Sequence, residues 1–276
     1  MKKWMWICCV PVLLTGCATQ KISQTSIIPE AKGWRAAYRQ VLYEFQRSDN
    51  YTEHAAFSLY DISGDGVPEL ILSLDSCHAA SCRIVTYQDK AVDVGEIGSF
   101  GECCYNSDQN LILSGYLGQG VQHSIFYRLQ NGVLQEIIKF YDDEGYRGIE
   151  DAVFRINDVE VSKAEYDQMY QFYESGAEWI YLGRDYQFGC IDAAFSRNCI
   201  SRSEACERLR EKLDWDFSIF VDSARLYQGH YCYIFRTTEI FPDHNVTTGW
   251  YAVDMQTGEC FDTQTLTSLV PLETKK

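Results

Sequence analysis

The sequence has few basic side chains, and they are not clustered. Lysine and arginine number 24 against 39 aspartates and glutamates, which gives a formal net charge of -15 at pH 7. Proteins that bind nucleic acid present a patch or stripe of lysine and arginine to the phosphate backbone. We therefore exclude nucleic acid as a partner. The same acidity argues against a polybasic contact with anionic lipid.

The sequence also lacks the short motifs of common catalytic sites. It contains no GxSxG elbow, no HExxH pair, no P-loop and no dinucleotide-binding glycine fingerprint. Among the five histidines, His230 begins an alternating pattern and is expected to be a partly buried sheet residue. The acidic run Asp142, Asp143 and Glu144 invites comparison with glycosidases, but such a run before Gly145 is typical of a solvated turn. We predict no catalytic residues and no enzyme.

No apolar run near the amino end is long enough to span a bilayer, which takes about 20 residues. Residues 4–14 form a short apolar segment that follows Lys2 and Lys3, and a threonine–glycine pair then leads to Cys17. This order is the pattern of a bacterial lipoprotein signal peptide. We predict that residues 1–16 are removed and that a diacylglycerol on Cys17 holds the protein to the extracytoplasmic face of the cell membrane.

The cysteine content agrees with export but leaves the pairing open. Beyond Cys17, nine cysteines remain: Cys77, Cys82, Cys103, Cys104, Cys190, Cys199, Cys206, Cys232 and Cys260. An odd number leaves at least one unpaired within a monomer. The spacings of Cys77 with Cys82, and of Cys190 with Cys199, suit local disulfides, whereas zinc is the weaker alternative because finger-like CxxC spacing is missing. Adjacent cysteines rarely bond to each other, so one or both of Cys103 and Cys104 are expected to pair elsewhere.

Periodic patterns predict three helices and a run of strands. One helix begins at Trp34 and ends near Gln46, and two more begin after the capping residues Ser162 and Ser201. An Asn131-Gly132 pair predicts a type I' hairpin turn. The predicted strands cover residues 55–60, 69–74, 82–87, 91–97, 111–114, 122–129, 133–140, 217–221, 229–235, 249–254 and 259–263.

These elements predict an α+β fold. After the signal peptide at 1–16 and a tether at 17–29, we expect an amino-terminal helix and an antiparallel β-rich domain at 30–150. A helical connector at 151–195 leads to a small domain at 196–276, in which one helix packs on an antiparallel sheet.

The segment with the clearest chemical content begins at Asp61 and reads DISGDGVPEL. It places oxygen donors at alternate positions, namely the side chains of Asp61, Ser63, Asp65 and Glu69 and the carbonyl of Val67. Calcium takes six to eight such oxygens in proteins. Three carboxylates within nine residues also repel one another unless a cation neutralises them. We predict a structural calcium site here, against the alternative of a solvated hairpin that binds nothing.

The loop is not an EF-hand, because Leu72 stands where the bidentate glutamate belongs and strands flank the loop. It resembles instead the strand-loop-strand calcium loops of FG-GAP and VCBS-type repeats, and the D-x-D-G-D-G-x-P-E-L segment of exported proteins of gut Firmicutes. The resemblance implies that Asp61, Asp65 and Glu69 are ligands. Ser63 departs from the usual aspartate or asparagine.

The carboxyl-terminal hairpin is similar to that of PepSY-like domains. The similarity lies in residues 249–254, GWYAVD, and in the Thr257-Gly258-Glu259 turn. It implies an exported module that regulates a peptidase.

Three functions follow from these observations. The first is a noncatalytic lipoprotein with a structural calcium loop that binds a protein, peptide or glycan. The second is a PepSY-like regulator of an extracytoplasmic peptidase. The third is a hydrolase whose motif is not recognisable.

Overall fold

The computed structural model describes residues 33–74, 81–98, 101–175, 179–213, 218–241, 245–263 and 270–272. Its helices are α1 (Trp34–Gln46), α2 (Glu144–Arg147), α3 (Lys163–Glu174), α4 (Ile191–Ala194) and α5 (Arg202–Lys212). The first eight strands are β1 (Ala56–Tyr60), β2 (Glu69–Ser73), β3 (Cys82–Tyr87), β4 (Ala91–Ile97), β5 (Gly101–Asn106), β6 (Leu111–Gly118), β7 (Val121–Gln130) and β8 (Val133–Asp142). The others are β9 (Phe154–Ile156), β10 (Val159–Val161), β11 (Ile180–Tyr181), β12 (Tyr186–Gln187), β13 (Ser218–Tyr227), β14 (His230–Ile240), β15 (Asn245–Asp254), β16 (Cys260–Asp262) and β17 (Val270–Pro271).

The strands form two sheets. The larger has ten strands in the order β17-β16-β15-β14-β13-β12-β1-β2-β3-β4, and the smaller has seven in the order β10-β9-β8-β7-β6-β5-β11. All pairings are antiparallel except that of β12 with β13, which is parallel. The ten-stranded sheet therefore combines β1–β4, from the first half of the chain, with β13–β17, from its end.

The two sheets pack face to face over part of their area. Ile71 and Ile84 from the larger sheet meet Ile112 and Leu129 from the smaller one in a shared apolar core. The opposite face of the larger sheet is covered by α1 next to β1–β3 and by α5 next to β13–β15. Helix α3 covers the outer face of the smaller sheet through Tyr166. The layers therefore run helix, ten-stranded sheet, seven-stranded sheet, helix.

The smaller sheet does not reach the far half of the larger one. Side chains on one face of a strand alternate, so the register shows which residues share a face. Ser73, Ala56 and Gln187 form one row on the face that the smaller sheet packs against, and Ser223 lies on the same face beyond them. In the described part of the chain, that far half holds only a small apolar cluster around Ile234.

The predicted α+β fold class is wrong. The described chain is mostly β, with two large sheets and five short helices. The predicted helical connector at 151–195 contains α3 and α4, but it also contributes β9 and β10 to the smaller sheet and β12 to the centre of the larger one. These strands are two or three residues long, so they carry no period-two pattern, and their stability comes from partners distant in sequence.

Most individual elements of the prediction are confirmed. Helix α1 has the expected bounds, and Ser162 caps α3 with a reciprocal bond to Glu165. Asn131 and Gly132 adopt φ of 53° and 72°, as the hairpin turn requires. Strand β5 was missed: it carries the adjacent cysteines at 103 and 104, and both are buried.

Candidate functional site

The predicted calcium loop joins β1 to β2 and is closed by its own carboxylates. Asp61 Oδ1 accepts hydrogen bonds from the backbone N–H groups of Gly64 at 2.8 Å and Asp65 at 3.1 Å, and its Oδ2 accepts from Gly66 at 2.9 Å. Gly64 and Gly66 have φ of 75° and 85°, which turns the backbone around the carboxylate. Asp65 Oδ1 accepts from the backbone N–H of Val67 at 2.8 Å.

Glu69 holds the loop from the inside. Only 1% of the residue is exposed, and its Oε2 accepts from the backbone N–H groups of Ile62 at 2.8 Å and Ser63 at 3.0 Å. Its Oε1 accepts from the Thr86 hydroxyl at 3.1 Å. Burial raises the pKa of Glu69 above its usual value, although these hydrogen bonds counteract the shift.

The loop therefore offers a cation fewer converging carboxylates than the spacing suggested. Asp61 and Asp65 are exposed while Glu69 points inward, and no three acidic, histidine or cysteine side chains of the described residues are grouped to hold a metal. An ionised carboxylate has about four lone-pair sites, so Asp61 and Asp65 each retain capacity beside their backbone bonds. Ser63 Oγ is buried, so Asp61 and Asp65 are the exposed side chains that the loop presents to a cation, and the calcium site stays a prediction. Glu69 as a ligand stays a prediction.

A cleft that the sequence did not reveal lies where the smaller sheet ends. Its volume is about 280 Å³, and it is lined by His54, Ala56, Ser73, Gly183, Arg184, Gln187, Asp222, Ser223 and Arg225. These residues come from β1, β2, β12, β13 and the segments before β1 and β12. The cleft thus sits at the junction between the two halves of the larger sheet.

Two arginines dominate the chemistry of this cleft. Arg225 Nη2 donates to Ser223 Oγ at 2.9 Å and to Asp222 Oδ2 at 3.1 Å, so its guanidinium is held in place. The guanidinium of Arg184 lies 5.0 Å from the centre of the Tyr181 ring, and no carboxylate of the described residues forms an ion pair with it. Two arginines against Asp222 leave the cleft positive in a protein of net charge -15. Such a site attracts anions.

A second depression, of about 180 Å³, lies on the smaller sheet and has an aromatic lining. The rings of His123 and Tyr141 meet edge to face at 4.8 Å, and Arg155 lies over Tyr141 at 5.1 Å. Lys139 pairs with Asp158 at its rim at 2.5 Å. Lys139 is therefore neutralised internally, whereas Arg155, like Arg184 of the cleft, forms no ion pair with a carboxylate of the described residues.

Comparison with known proteins adds no relative. The chain matches no protein-family model, no curated protein and no solved structure. The resemblances of the acidic loop and of the carboxyl-terminal hairpin therefore rest on their motifs.

Other residues considered for chemistry have structural contacts. His230 Nδ1 lies 2.8 Å from Asp254 Oδ2, and Asp254 Oδ1 accepts from the backbone N–H groups of Gln256 and Thr257, both at 2.8 Å. Cys232, opposite Asp254 in the register, is fully buried, and burial raises the pKa of its thiol to about 12. This thiol is therefore protonated at neutral pH.

The acidic run before Gly145 is not the solvated turn that the sequence suggested. Asp143 is 1% exposed, and it accepts from the backbone N–H of Val153 at 2.7 Å and from Arg147 Nε at 2.7 Å. Glu144 pairs with Lys163 at 2.7 Å and so ties α2 to α3. Val153 and Lys163 lie in segments that no local pattern connects to the run, so the sequence does not reveal these two contacts, whereas Arg147 stands only four residues after Asp143.

The predicted lipidation site at Cys17 lies outside the described residues. Among the residues that are described, no helix combines the length and apolar character needed to cross a bilayer.

We expect Glu69→Ala to destabilise the protein by roughly 3 kcal/mol, because two N–H groups at 62 and 63 lose their acceptor. Glu69→Gln is the matched control, since its amide oxygen can accept both bonds and its NH₂ can donate to Thr86. Urea unfolding of both variants measures the difference. An equal loss in the two would contradict this account of Glu69.

The stability contributed by Asp254 should depend on pH. Burial opposes its ionisation, but hydrogen bonds from Thr257, His230 and Gln256 together hold its pKa below the usual value. A carboxylate of lowered pKa stabilises the fold above its unfolded pKa, and this contribution disappears as the pH falls through the folded pKa. Asp254→Asn should therefore be less stable at pH 7 and should lose less stability than the parent protein between about pH 5 and pH 2.

Urea midpoints measured across that range test the expectation. Asp108→Asn is the control, because Asp108 is exposed. Parallel curves for the parent and Asp254→Asn would show that Asp254 does not carry the effect.

Proposed function

We propose that the protein is a noncatalytic cell-envelope lipoprotein, anchored through Cys17, that binds a carboxylate-bearing ligand in the arginine-lined cleft. The observation that carries this proposal is the position of Arg184 and Arg225 in one cleft of an otherwise acidic molecule. A guanidinium presents a planar fork of donors that matches a carboxylate, and such paired bonds are strong and directional. The expected ligand is a peptide with a free carboxylate.

The cleft is suited to binding because Arg225 is fixed and Arg184 forms no ion pair with a carboxylate of the described residues. Arg225 is held by Ser223 and Asp222, so little side-chain entropy is lost when a ligand binds. Arg184 extends from a segment whose backbone is anchored: its N–H donates to Ser58 Oγ at 3.1 Å.

Within this proposal the acidic loop binds calcium as a structural ion. Asp61 and Asp65 supply the charged oxygens, and the Ser63 hydroxyl, the Val67 carbonyl and water supply neutral ones. The support is the exposed position of the two aspartates on a loop already shaped by backbone hydrogen bonds. Such an ion would stabilise the hairpin and take no part in ligand chemistry.

Two other functions remain as alternatives. His54 shares the cleft with Ser73 and Ser223, which keeps the hydrolase alternative in view. Turnover of a peptide or ester that His54→Ala abolishes would favour it. The resemblance of the carboxyl-terminal hairpin to PepSY-like domains supports the other alternative, a regulator of a peptidase. This alternative predicts that adding the protein to an envelope peptidase changes the activity of that enzyme.

Replacing either arginine should weaken ligand binding. Loss of a hydrogen-bonded charge costs about 1.5 to 3 kcal/mol, so Arg184→Ala and Arg225→Ala should each raise Kd roughly 10- to 100-fold. Alanyl-alanine and its amidated form are suitable probes, measured by calorimetry or by NMR of arginine side-chain N–H groups. The free carboxylate should bind and the amide should not.

Arg155→Ala is the matched control, because it removes the same charge from the second depression. If it weakens binding as much as the cleft variants, net charge and not the cleft determines affinity. If the dipeptide and its amide bind equally, the carboxylate has no role.

Calcium should raise the melting temperature of the chain that begins at Ala18. Extracellular sites commonly have Kd of about 0.1 to 1 mM, so 10 mM calcium should stabilise the protein by ~1.4 to 2.7 kcal/mol. The expected rise is roughly 3 to 10 °C, and chelator should reverse it.

Asp65→Asn distinguishes the stability that a bound ion adds from the stability that the loop has without it. Its amide oxygen can still accept from Val67, but one ligand charge is lost, so the calcium-dependent rise should shrink while stability in chelator stays nearly unchanged. Asp108→Asn should leave the rise intact. Superimposed melting curves with and without calcium would exclude the structural ion.

A further inference from the structure

Two buried thiols face each other between the sheets, directly beneath the cleft. Cys82 lies on β3 of the larger sheet and Cys103 on β5 of the smaller one, and both belong to the core that the sheets share. They are 6% and 4% exposed, and each thiol lies close enough to the other to shift its pKa, with that of Cys82 lowered and that of Cys103 raised. We propose that Cys82 and Cys103 form a disulfide that crosslinks the two sheets.

The backbone at Leu182 holds the two cysteines at one point. The N–H of Leu182 donates to the Cys103 carbonyl at 2.8 Å, and its own carbonyl lies 4.0 Å from Cys82 Sγ. The next residue, Gly183, allows this approach: a Cβ there would lie 3.1 Å from Cys82 Sγ and 3.0 Å from the Ser73 Cβ. These contacts place the Cys82 sulfur and the Cys103 backbone against the same segment without any help from a bond between the two cysteines.

The neighbouring cysteines are not equivalent partners. Cys104 points to the opposite face of β5 and packs in the core under α3, away from Cys82. Among the other described cysteines, Cys190, Cys199, Cys206 and Cys260 lie in or against the core under α5, and Cys232 lies in the cluster on the far half of the larger sheet. Cys77, the partner that spacing suggests for Cys82, lies outside the described residues. The geometry therefore favours Cys103 as the partner of Cys82. This pairing agrees with the expectation that one of the adjacent cysteines, Cys103 and Cys104, pairs elsewhere in the chain.

The oxidant is an external disulfide, such as that of an envelope thiol oxidase. The Cys82 thiolate attacks one sulfur of that disulfide, breaks its S–S bond and releases one thiolate. Cys103 then loses its proton and attacks the Cys82 sulfur of the mixed disulfide, which releases the second thiolate. Two protein thiols are thus oxidised by two electrons, and the external disulfide is reduced to two thiols. Because both sulfurs are buried in the folded chain, we place this exchange before the sheets close on each other.

The crosslink would fix the floor of the cleft. Leu182 and Gly183 lie against the two cysteines and immediately precede Arg184. A disulfide at this point holds the segment that carries the arginine against both sheets. It goes beyond the proposed ligand site, because it forms whether or not any ligand binds there.

Peptide mapping of the mature lipoprotein tests the proposal. The protein is extracted in detergent, its free thiols are alkylated under denaturing conditions without reductant, and the digest is analysed by mass spectrometry. In a second arm the same protein is reduced, unfolded and refolded with reduced and oxidised glutathione. This arm depends only on geometry, so it separates a failure of the crosslink from a failure of the proposed export.

Both arms should yield a peptide pair that joins Cys82 to the 103–104 segment. The pair should persist in Cys104→Ser and disappear in Cys103→Ser. Reduction should lower the melting temperature by roughly 5 to 10 °C in the parent and in Cys104→Ser, and by much less in Cys103→Ser. Alkylated Cys82 and Cys103 in the refolded protein, or a link from Cys82 to any other cysteine, would overturn the proposal.

Discussion

The architecture depends on a strand of two residues. Tyr186 and Gln187 in β12 pair with β1 on one side, and Tyr186 pairs in parallel with Ala224 of β13 on the other. The backbone N–H of Ala224 donates to the Asp185 carbonyl at 2.7 Å, and the Tyr186 ring stacks on Phe57 at 5.3 Å. Without this joint the ten-stranded sheet would divide into β1–β4 and β13–β17, each with an open edge that must be covered or paired.

Charge and aromatic contacts reinforce the joint. Asp185 pairs with Arg202 at the start of α5 at 2.9 Å, and both side chains are largely shielded from solvent. Arg202 also lies over the Tyr186 ring at 5.8 Å. A shielded ion pair is costly to break because one charge would be left without its partner. The pair thus couples α5, in the last part of the chain, to the strand that joins the halves of the sheet.

The same joint produces the cleft. The smaller sheet packs over β2–β4 and ends before β13, so the face of the larger sheet steps down beside β12. Arg184 lies just before β12, and Arg225 lies on β13 next to it. Two arginines distant in sequence are therefore brought together by one short parallel pairing. If β12 were longer and the smaller sheet covered β13 as well, there would be no cleft at this point.

Local order was largely predictable from the sequence, and the joint was not. Long strands and helices carry alternation or capping residues, so α1, the cap at Ser162 and the turn at Asn131 follow from the chain itself. A two-residue strand has no period, and its position is set by β1 and β13, which lie far away in sequence. The sequence predicts domain boundaries at 150 and 196, because local patterns change there. The sheet in fact runs through both segments, and the cleft arginines had no spacing to mark them.

In the acidic loop, the alternation of side chains along β2 determines which way Glu69 points. Glu69 lies two residues before Ile71 on β2, and Ile71 faces the smaller sheet, so period-two alternation places Glu69 inward. The spacing of acidic residues in the loop suggests Glu69 as a calcium ligand only if this inward orientation is left out of account. Because Asp61 and Glu69 already satisfy five backbone N–H groups between them, the loop keeps its shape without an ion. A bound cation would then offset the repulsion between Asp61 and Asp65 and add to the stability of a loop that its own hydrogen bonds have built.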